Sequence, residues 1–374
     1  MVCQKSKIND WVDHLNTYYD YIVFDLTKPK EYKQYFEAVG ELLPCIGVIN
    51  YELTFRRKEL LQLINFTLVL DESSLINNEQ AKRSKFILKL KPENVVLLSG
   101  SLCGGKYENL WSQLHLLGWN ISKTTYWNMF IDYHFEDMGG FPLKVIDGYK
   151  NVDRLKRKMR EYGCHFLKTD EVMDLPEQIF TTVKVSVSKE YRKFRKDRIV
   201  EVGGTQLVGD NTLTKMLYER QLCSQYSEAK LEAFKDLVES TEDRLIVFYN
   251  FTEELVRLRA IAYESGRQNI STVNGQTKQL NCYEAYDNSI TFIQYQAGAM
   301  GLNLQKANKI IYYSPPLSSE LYEQSKKRIN RIGQSRTCYY YNLTVTGSIE
   351  ERIYKTLAMR HDYTEALFEM EEYK

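Results

Sequence analysis

The sequence contains little proline and glycine and no long hydrophobic run. Its 374 residues include 7 prolines and 19 glycines, which excludes a collagen-like tract or a long proline-rich linker. No apolar run approaches the roughly 18 residues of a membrane span, and the N-terminus lacks the hydrophobic region of a signal peptide. These absences predict a cytoplasmic protein with no membrane partner, whose helices and strands have few interruptions.

An excess of one charge and a disulfide framework are absent as well. Lysine and arginine number 50 and aspartate and glutamate 49, for a net charge of +1, so any nucleic-acid site must be a local basic patch. The seven cysteines have an odd count and no C-x-x-C pair, which predicts reduced thiols and no zinc site. Hydrophobic residues at 43% and charged residues at 26% lie near globular averages, which excludes wholesale disorder.

The sequence does contain short apolar runs of strand length that alternate with helical patterns. Apolar strands alternating with helices predict parallel sheets covered on both faces, and therefore a doubly wound α/β chain with two lobes. Helical spacing is clearest from Ile8 to Leu15 and from Leu231 to Val238, behind candidate caps at Ser6 and Ser227. The predicted strands are YIVFD (21–25), IGVI (46–49), FTLVL (66–70), NVVLLS (94–99), RLIVFY (244–249), ITFI (290–293), KIIYY (309–313) and YYYNL (339–343).

The alternation stops between about 120 and 226, where the basic segments DRLKRKMR (153–160) and KEYRKFRKDR (189–198) occur. The second is either a solvated helix face or a surface that follows nucleic-acid phosphates. Its candidate contacts are Arg192, Lys193, Arg195 and Lys196.

These patterns divide the chain into three predicted parts. We expect a first lobe over 1–120, a helical basic insertion and inter-lobe segment over 121–226, and a second lobe over 227–374. The second lobe is expected to end in a helix that starts with the capping box Ser348-x-x-Glu351.

Asp71 and Glu72 directly follow the apolar run FTLVL. At the carboxyl end of a buried parallel strand, paired carboxylates can hold Mg²⁺ and orient an attacking water. A strand-end Asp-Glu pair is also typical of the charge at a helix N-terminus. The dipeptide alone leaves both interpretations open.

The segment from Val69 to Trp119 resembles the ATPase core of Swi/Snf-like proteins in helicase superfamily two. In that family a D-E-x-H box precedes a lysine-rich helix, a strand, a T-G-T-P turn and an L-W-x-L helix. The corresponding residues here are Asp71-Glu72-Ser73-Ser74, Ser99-Gly100-Ser101 and Leu110-Trp111.

The resemblance implies a role for each box. Asp71 would hold Mg²⁺ with ATP, Glu72 would activate water, and Ser99, Gly100 and Ser101 would couple hydrolysis to movement. Ser74 replaces the usual histidine and Leu102 the usual proline, so coupling is the property that these departures affect.

Two further boxes in the C-terminal half resemble the same family. Residues 294–304, QYQAGAMGLNL, resemble its S-T-x-A-G-G-x-G-x-N-L box, and residues 322–336, YEQSKKRINRIGQSR, its Q-x-x-x-R-x-x-R-I-G-Q box. Arg328 and Arg331 are three apart on a predicted helix, so their planar donor groups share one face. The resemblance implies that both are arginine fingers for a γ-phosphate held by the opposite lobe. It implies nucleotide-binding support from Gly298, Gly301, Asn303 and Gln334.

The N-terminal MVCQKSKINDWVDHL resembles a first-lobe box of the family in which a K-S turn contacts nucleic acid, here Ser6 and Lys7. A plain helix cap at Ser6 is an equally good interpretation. Family members have a G-x-G-K-[ST] loop before this box, and these 374 residues contain none. The resemblance therefore implies two RecA-like lobes, of which the first is incomplete at its N-terminal end and lacks the phosphate loop. Residues 100–106, GSLCGGK, match a phosphate loop only in part. Tyr107 follows in place of Ser or Thr, and the loop comes after the Asp-Glu strand rather than before it.

We therefore expect a compact, phage- or bacterial-type Swi/Snf-like ATPase that translocates on double-stranded DNA with ATP and Mg²⁺. It is expected to be inactive alone, without an upstream fragment that supplies the phosphate loop. One alternative is a non-catalytic nucleic-acid-binding remnant or subunit of a split helicase. Another is an unrelated nucleotide enzyme that uses the Gly100 loop.

Overall fold

The protein is described by a computed structural model that covers residues 1–100, 102–137, 142–165, 173–298 and 301–368, with side chains for all of these except 298 and 361–368. The chain divides into two compact units, Met1–Phe166 with Tyr363–Lys374, and Leu167–Asp362. Each unit is built around one largely parallel sheet. The prediction of two parallel-sheet α/β lobes is confirmed.

The helices of both units lie between successive strands along the chain. They are α1 (Ile8–Tyr18), α2 (Pro29–Gly40), α3 (Tyr51–Thr54), α4 (Lys82–Ile87), α5 (Trp111–Leu116), α6 (Lys123–Phe130), α7 (Val152–Glu161), α8 (Lys189–Asp197), α9 (Thr212–Cys223), α10 (Glu228–Glu239), α11 (Thr252–Glu264), α12 (Asn281–Ala285), α13 (Tyr295–Gly298), α14 (Ser319–Lys326) and α15 (Ile349–Phe368).

The first unit contains a five-stranded parallel sheet in the order β2-β3-β1-β4-β5. Leu68 and Leu70 of its fourth strand are buried together with apolar residues of the covering helices. Because all five strands are parallel, their carboxyl ends meet at one edge of the sheet. The strands are β1 (Val2–Cys3), β2 (Ile22–Asp25), β3 (Cys45–Asn50), β4 (Thr67–Asp71) and β5 (Asn94–Leu98).

A separate antiparallel hairpin follows in the same unit. It consists of β6 (Ile131–Asp137) and β7 (Pro142–Tyr149). Residues at the base of the hairpin join α5, α6 and α7 in a second apolar cluster centred on Trp119, Tyr126 and Phe130.

The second unit contains a seven-stranded sheet in the order β13-β12-β14-β11-β15-β16-β8. Only the pair β12–β13 is antiparallel, and all five residues of the central strand β11 are buried. The strands, with the small hairpin β9–β10 of the same unit, are β8 (Gln178–Val185), β9 (Ile199–Val202), β10 (Thr205–Val208), β11 (Leu245–Tyr249), β12 (Ile270–Val273), β13 (Lys278–Gln279), β14 (Ile290–Gln294), β15 (Lys309–Tyr312) and β16 (Cys338–Val345).

All eight apolar runs chosen from the sequence form strands. In the segment 121–226, expected to be helical, the described residues form four helices but also five strands. Strand β8 belongs to the second sheet. Its residues Gln178–Val185 pair with Cys338–Val345 of β16 along their whole length. Alternating polar residues on β8 (QIFTTVKV) conceal this strand from a search for continuous apolar runs.

Two of the predicted helix caps do not form. Helix α1 begins after Lys7 rather than Ser6, and neither Lys7 nor Ser227 makes a side-chain cap hydrogen bond. The last helix starts at Ile349 as expected, but the capping box is displaced. Ser348 Oγ accepts from the N–H of Glu350 (3.1 Å) and Glu351 Oε2 from that of Gly347 (3.0 Å).

Among the described residues, we find no helix that combines the length and the hydrophobicity needed to cross a bilayer.

Candidate functional site

Asp71 is the last residue of β4, at the carboxyl edge of the first sheet. Trp11 of α1 donates its indole N–H to Asp71 Oδ2 at 2.8 Å, and the Tyr51 hydroxyl donates to the Asp71 carbonyl at 2.8 Å. Tyr51 is fully buried, and burial followed by the negative charge of Asp71 raises the pKa of Tyr51, so its hydroxyl stays a donor. The Trp11 contact fixes the carboxylate in one orientation, and the Tyr51 contact fixes the backbone of Asp71.

Glu72 has a left-handed backbone conformation, with φ 53° and ψ 56°. A residue with a side chain pays about 1–2 kcal/mol for this conformation. Such strain at a non-glycine residue is typical of functional positions. The turn directs the chain from β4 into a 3-10 helix, Ser73–Ile76.

A hydrogen-bond chain links this turn to the segment that follows β5. The buried Ser73 hydroxyl donates to Gln113 Oε1 (2.8 Å), and Gln113 Nε2 donates to Asn77 Oδ1 (2.7 Å) and to the Leu102 carbonyl (2.8 Å). The predicted coupling residues Ser99 and Gly100 immediately precede this segment, whereas Ser101 lies outside the described residues. Hydrogen bonds through Gln113 therefore connect the Asp-Glu turn to Leu102.

The glycine-rich loop at 100–106 does not have the geometry of a phosphate loop. A three-residue 3-10 helix, Tyr107–Asn109, follows it in place of an α-helix, whereas a phosphate loop directs the N–H groups of a helix N-terminus at the anion. Tyr107 is buried and stacks on Tyr149 with ring centroids 4.2 Å apart. The residue that would have to bind Mg²⁺ is therefore part of the core.

In the second unit, the structure brings the two C-terminal boxes together. The N–H of Leu304 donates to the Arg328 carbonyl (3.1 Å), Arg328 donates to the Leu302 carbonyl (3.3 Å), and Arg331 donates to Asn303 Oδ1. Gly301, at the centre of the glycine box, has φ +83°, a conformation that favours glycine. The predicted residues Asn303, Arg328 and Arg331 thus belong to one hydrogen-bonded group.

The prediction that Arg328 and Arg331 lie on a helix is wrong. Helix α14 ends at Lys326, and the N–H of Arg328 bonds to the Ser325 carbonyl in a tighter turn. In an α-helix the Gln324 carbonyl would accept from the N–H of Arg328, but here it accepts from Arg328 Nε at 3.1 Å.

The side chain of Gln334 contacts the backbone next to this group. Its Nε2 donates to three backbone carbonyls, of Gln305 (3.0 Å), Ala307 (2.8 Å) and Ile329 (3.3 Å). Its Oε1 accepts from the N–H groups of Ser335 and Arg336, both at 3.1 Å. Both the nitrogen and the oxygen of the Gln334 side-chain amide are thus bonded to backbone groups. That Gln334 supports a bound nucleotide stays a prediction. Gly298 ends α13 directly before residues outside the described part.

The predicted nucleic-acid contacts lie at the surface. Ser6 is exposed, and Lys7 forms an ion pair with Asp10 (2.7 Å). On α8 the apolar residues Tyr191 and Phe194 are buried. The exposed face carries Arg192, Lys193, Arg195 and Lys196, none of which forms an ion pair with another described residue. Helix α8 is therefore amphipathic with a basic outer face, which agrees with both interpretations of the segment.

The oxygen chemistry at Asp71 fits Mg²⁺, which prefers carboxylate oxygens and retains several waters. Trp11 occupies Oδ2, which leaves Oδ1 for a water or a cation. In the described part of the chain no three His, Cys, Asp or Glu side chains are grouped as a metal site, so Mg²⁺ would depend on phosphate oxygens as further ligands.

Sequence reasoning missed Trp11 as an orienting donor and Gln113 as a link. Trp11 was visible only as one member of a helical spacing, since its partner lies 60 residues away. Gln113 lies within the Leu110-Trp111 helix box, but nothing in the local sequence indicates its three hydrogen bonds.

Comparison with protein families gives two matches. Residues 1–228 match the SNF2-related domain, and residues 229–333 match the helicase conserved C-terminal domain.

Curated relatives are of low identity but match most of the chain. The "ISWI chromatin-remodeling complex ATPase ISW1" of Saccharomyces cerevisiae is 23% identical over 94% of this chain and 34% of its own length. The "Putative ATP-dependent helicase/translocase YwqA" of Bacillus subtilis is 21% identical over 99% of this chain and 43% of its own. The "DNA excision repair protein CSB" of Oryza sativa is 24% identical over 79% of this chain and 28% of its own length. The chain thus spans less than half the length of these relatives.

Among solved structures, the "Sulfolobus solfataricus SWI2/SNF2 ATPase core in complex with dsDNA" covers 97% of this chain and 81% of its own, with 17% identity and a TM-score of 0.39.

Proposed function

The chain belongs to the SNF2-related family, and from that membership we propose that it couples ATP hydrolysis to movement along double-stranded DNA. The observation that carries this proposal is the oriented Asp71 carboxylate beside the strained Glu72 at the carboxyl edge of a parallel sheet. Parallel α/β sheets bind ligands at this edge.

Each acidic residue has a separate role in the proposal. Asp71 holds Mg²⁺ through the carboxylate that Trp11 orients, and the metal supplies positive charge to the phosphates of bound ATP. Glu72, which directly follows Asp71 at this edge of the sheet, would accept a proton from the attacking water at its carboxylate. The Ser73–Gln113–Leu102 chain passes changes at this turn to the segment after β5.

Arg328 and Arg331 serve as arginine fingers in this proposal. Their backbone and side-chain bonds to Leu302, Asn303 and Leu304 hold them at fixed positions, and guanidinium groups suit the spread charge of a phosphoryl transition state. Each Arg→Ala substitution should lower kcat far more than it raises KM for ATP, and Arg→Lys should restore only part of the loss. A fall in kcat that is matched by an equal rise in KM contradicts the finger role.

We further propose that hydrolysis depends on a phosphate loop from residues other than these 374. The only G-K pair is Gly105-Lys106, in a loop that lacks the required helix. The supporting observation is β5 (NVVLL), an uncharged strand that pairs only with β4 among the described residues and exposes Val96 by 43% and Leu98 by 39%. An edge of this kind is normally protected by charge, proline or a bulge. A further parallel strand beside β5 would cover it.

Duplex DNA is the proposed partner, bound through its phosphates along the basic face of α8 and near Ser6 and Lys7. Neutralising Lys193 and Lys196 together should weaken binding of duplexes of any sequence and reduce the salt slope by about one unit for each phosphate that is no longer neutralised. Lys235→Gln on α10 is the matched control, because its lysine is also exposed. An unchanged salt slope removes α8 from the interface.

A second candidate function is a non-catalytic nucleic-acid-binding subunit of a split helicase. The misfit of the 100–106 loop favours it over an unrelated enzyme that uses the Gly100 loop. One experiment separates all three: DNA-stimulated phosphate release by residues 1–374, with and without an added phosphate-loop fragment. We expect little release alone and recovery with the fragment, lost again in Asp71→Asn. No recovery supports the non-catalytic subunit. Strong release by the chain alone that Lys106→Ala abolishes would make the Gly100 loop the phosphate site.

A further inference from the structure

A cavity of about 770 Å³ lies within the second unit, between the neighbouring strands β8 and β16 and the helices α14 and α15. Its floor is formed by alternate residues of β8 and β16, including Thr182, Lys184, Asn342 and Thr344. A sheet face that helices cover is normally apolar. This part of the face is polar, and the volume is that of a small-molecule site.

Two hydroxyl groups in the cavity lack partners among the described residues. Thr344 is 2% exposed, and its Oγ1 makes no hydrogen bond. The buried Oη of Tyr354 makes no hydrogen bond either. Burial raises the pKa of Tyr354 well above its usual value, so this hydroxyl remains a donor. Both hydroxyl oxygens are inaccessible to solvent, so a ligand in the cavity would not hydrogen-bond to either of them.

The charged lining has an excess of lysine. Lys184, Lys326 and Lys355 line the cavity with two glutamates, and Lys326 pairs with Glu323 at 2.6 Å. Neither Lys184 nor Lys355 forms an ion pair with a described residue, whereas Glu351 accepts from the N–H of Gly347 at 3.0 Å. Two ammonium groups are therefore available for an anionic group.

An aromatic ring stands at the other end of the cavity. Phe180 stacks on Tyr340 (4.5 Å between centroids, 9° between planes), which continues a row of near-parallel rings to Tyr312 at 6.5 Å. Phe180 is nevertheless 48% exposed, because it lies on the edge strand β8. Since Phe180 and Lys184 are four residues apart on one strand, about 13 Å separates them, which is comparable with the length of a mononucleotide.

From these features we infer that the cavity binds a nucleotide, with its base stacked on Phe180 and its phosphate between Lys184 and Lys355. The same chemistry is offered by a free nucleoside monophosphate and by a nucleotide of a single DNA strand. The inference does not depend on the proposed hydrolysis of ATP, since it uses none of the residues assigned to that reaction.

The test is equilibrium binding to the full chain of adenosine 5′-monophosphate, by calorimetry, and of a short fluorescein-labelled oligothymidylate, by anisotropy. Base–aromatic stacking predicts that Phe180→Ala weakens binding about tenfold. Loss of a charge-assisted contact predicts a similar effect for Lys184→Met and Lys355→Met.

The matched control is Lys235→Met on α10, outside the cavity, which should leave both affinities unchanged. Binding of the monophosphate that the cavity variants weaken identifies the free nucleotide as the ligand, and binding of the oligothymidylate alone identifies a DNA strand. Lys184 and Lys355 are exposed, so their substitutions test the cavity without disturbing the core of the second unit. Absence of binding for both probes, or binding equal in the cavity variants and the control, overturns the inference.

Discussion

Strands β5 and β11 are both uncharged five-residue apolar strands, NVVLL and LIVFY, yet they occupy opposite environments. All residues of β11 are buried between two neighbouring strands, whereas alternate residues of β5 are exposed and β4 is its only partner among the described residues. The second unit thus surrounds its most apolar strand, while the first leaves a strand of similar composition at an edge. An apolar run therefore predicts a strand but not the number of its neighbours.

The buried ion pair of the second unit gives the largest expected effect. Lys230 and Glu350 are 0% and 1% exposed, and Lys230 Nζ contacts both carboxylate oxygens at 2.6 and 2.7 Å. Lys230→Met leaves Glu350 buried without its partner, so we expect the second sheet to lose about 3–5 kcal/mol of stability. Hydrogen exchange, which reports the opening of each sheet separately, measures it.

Two controls accompany this change. The double variant Lys230→Met with Glu350→Gln should recover most of the loss, because the amide oxygen still accepts from Val345 without a charge. Lys235→Met breaks only an exposed pair with Glu239 and should cost about 0–1 kcal/mol. If the first sheet opens as easily as the second in Lys230→Met, the two units do not unfold independently.

A matched pair of valines tests the difference between the strands directly. Val247 of β11 is fully buried, and Val96 of β5 is 43% exposed. Replacing either by Thr preserves shape and adds a hydroxyl, so Val247→Thr should cost about 1–3 kcal/mol and Val96→Thr less than about 0.5 kcal/mol. Chemical denaturation measures both. A comparable cost at Val96 shows that another segment covers β5 in solution.

Strain at the candidate site predicts a smaller effect of opposite sign. Glycine relieves the left-handed conformation of Glu72, so Glu72→Gly should stabilise the first unit by about 0.5–1 kcal/mol after the entropy of glycine is included. The proposed base is lost at the same time, so phosphate release should fall.

The control for Glu72 is Leu42, which also has a positive φ (55°) and is 90% exposed. Leu42→Gly should raise the melting temperature without altering hydrolysis. Loss of stability in Glu72→Gly shows that contacts of the Glu72 side chain stabilise the first unit by more than the left-handed backbone conformation costs.

The sequence predicted what local pattern determines. The runs that became β4, β5 and β11 were identified because apolar strands are locally readable, and Asp71 and Glu72 were identified by their position after one of them. The order of strands was not predictable, because pairings such as Gln178 with Cys338 join residues 160 positions apart. The helix expected at Arg328 failed because helix α14 ends at Lys326, where the Arg328 side chain binds the Gln324 carbonyl that its own N–H would bind in a helix.

The smallest expected effect concerns the exposed hairpin β6–β7 of the first unit. His134 Nδ1 lies 2.8 Å from Asp147 and its Nε2 3.4 Å from Glu136, and these hydrogen bonds, with Asp147 first, raise the pKa of His134. A raised folded-state pKa means that the native state binds the proton more tightly. The resulting stability is complete below the unfolded-state pKa of about 6.5 and is lost as pH rises through the folded-state value.

We therefore expect the hairpin to open more readily at about pH 8 than at about pH 5.5, by an amount that salt reduces because the groups are exposed. Asp147→Asn and His134→Gln should each remove most of this pH dependence, since either change deletes the same contact. Hydrogen exchange at the β6–β7 amides measures the effect locally, with the β11 amides as internal reference. An identical pH profile at both sets of amides assigns the dependence to groups other than His134, because β11 lies in the other unit.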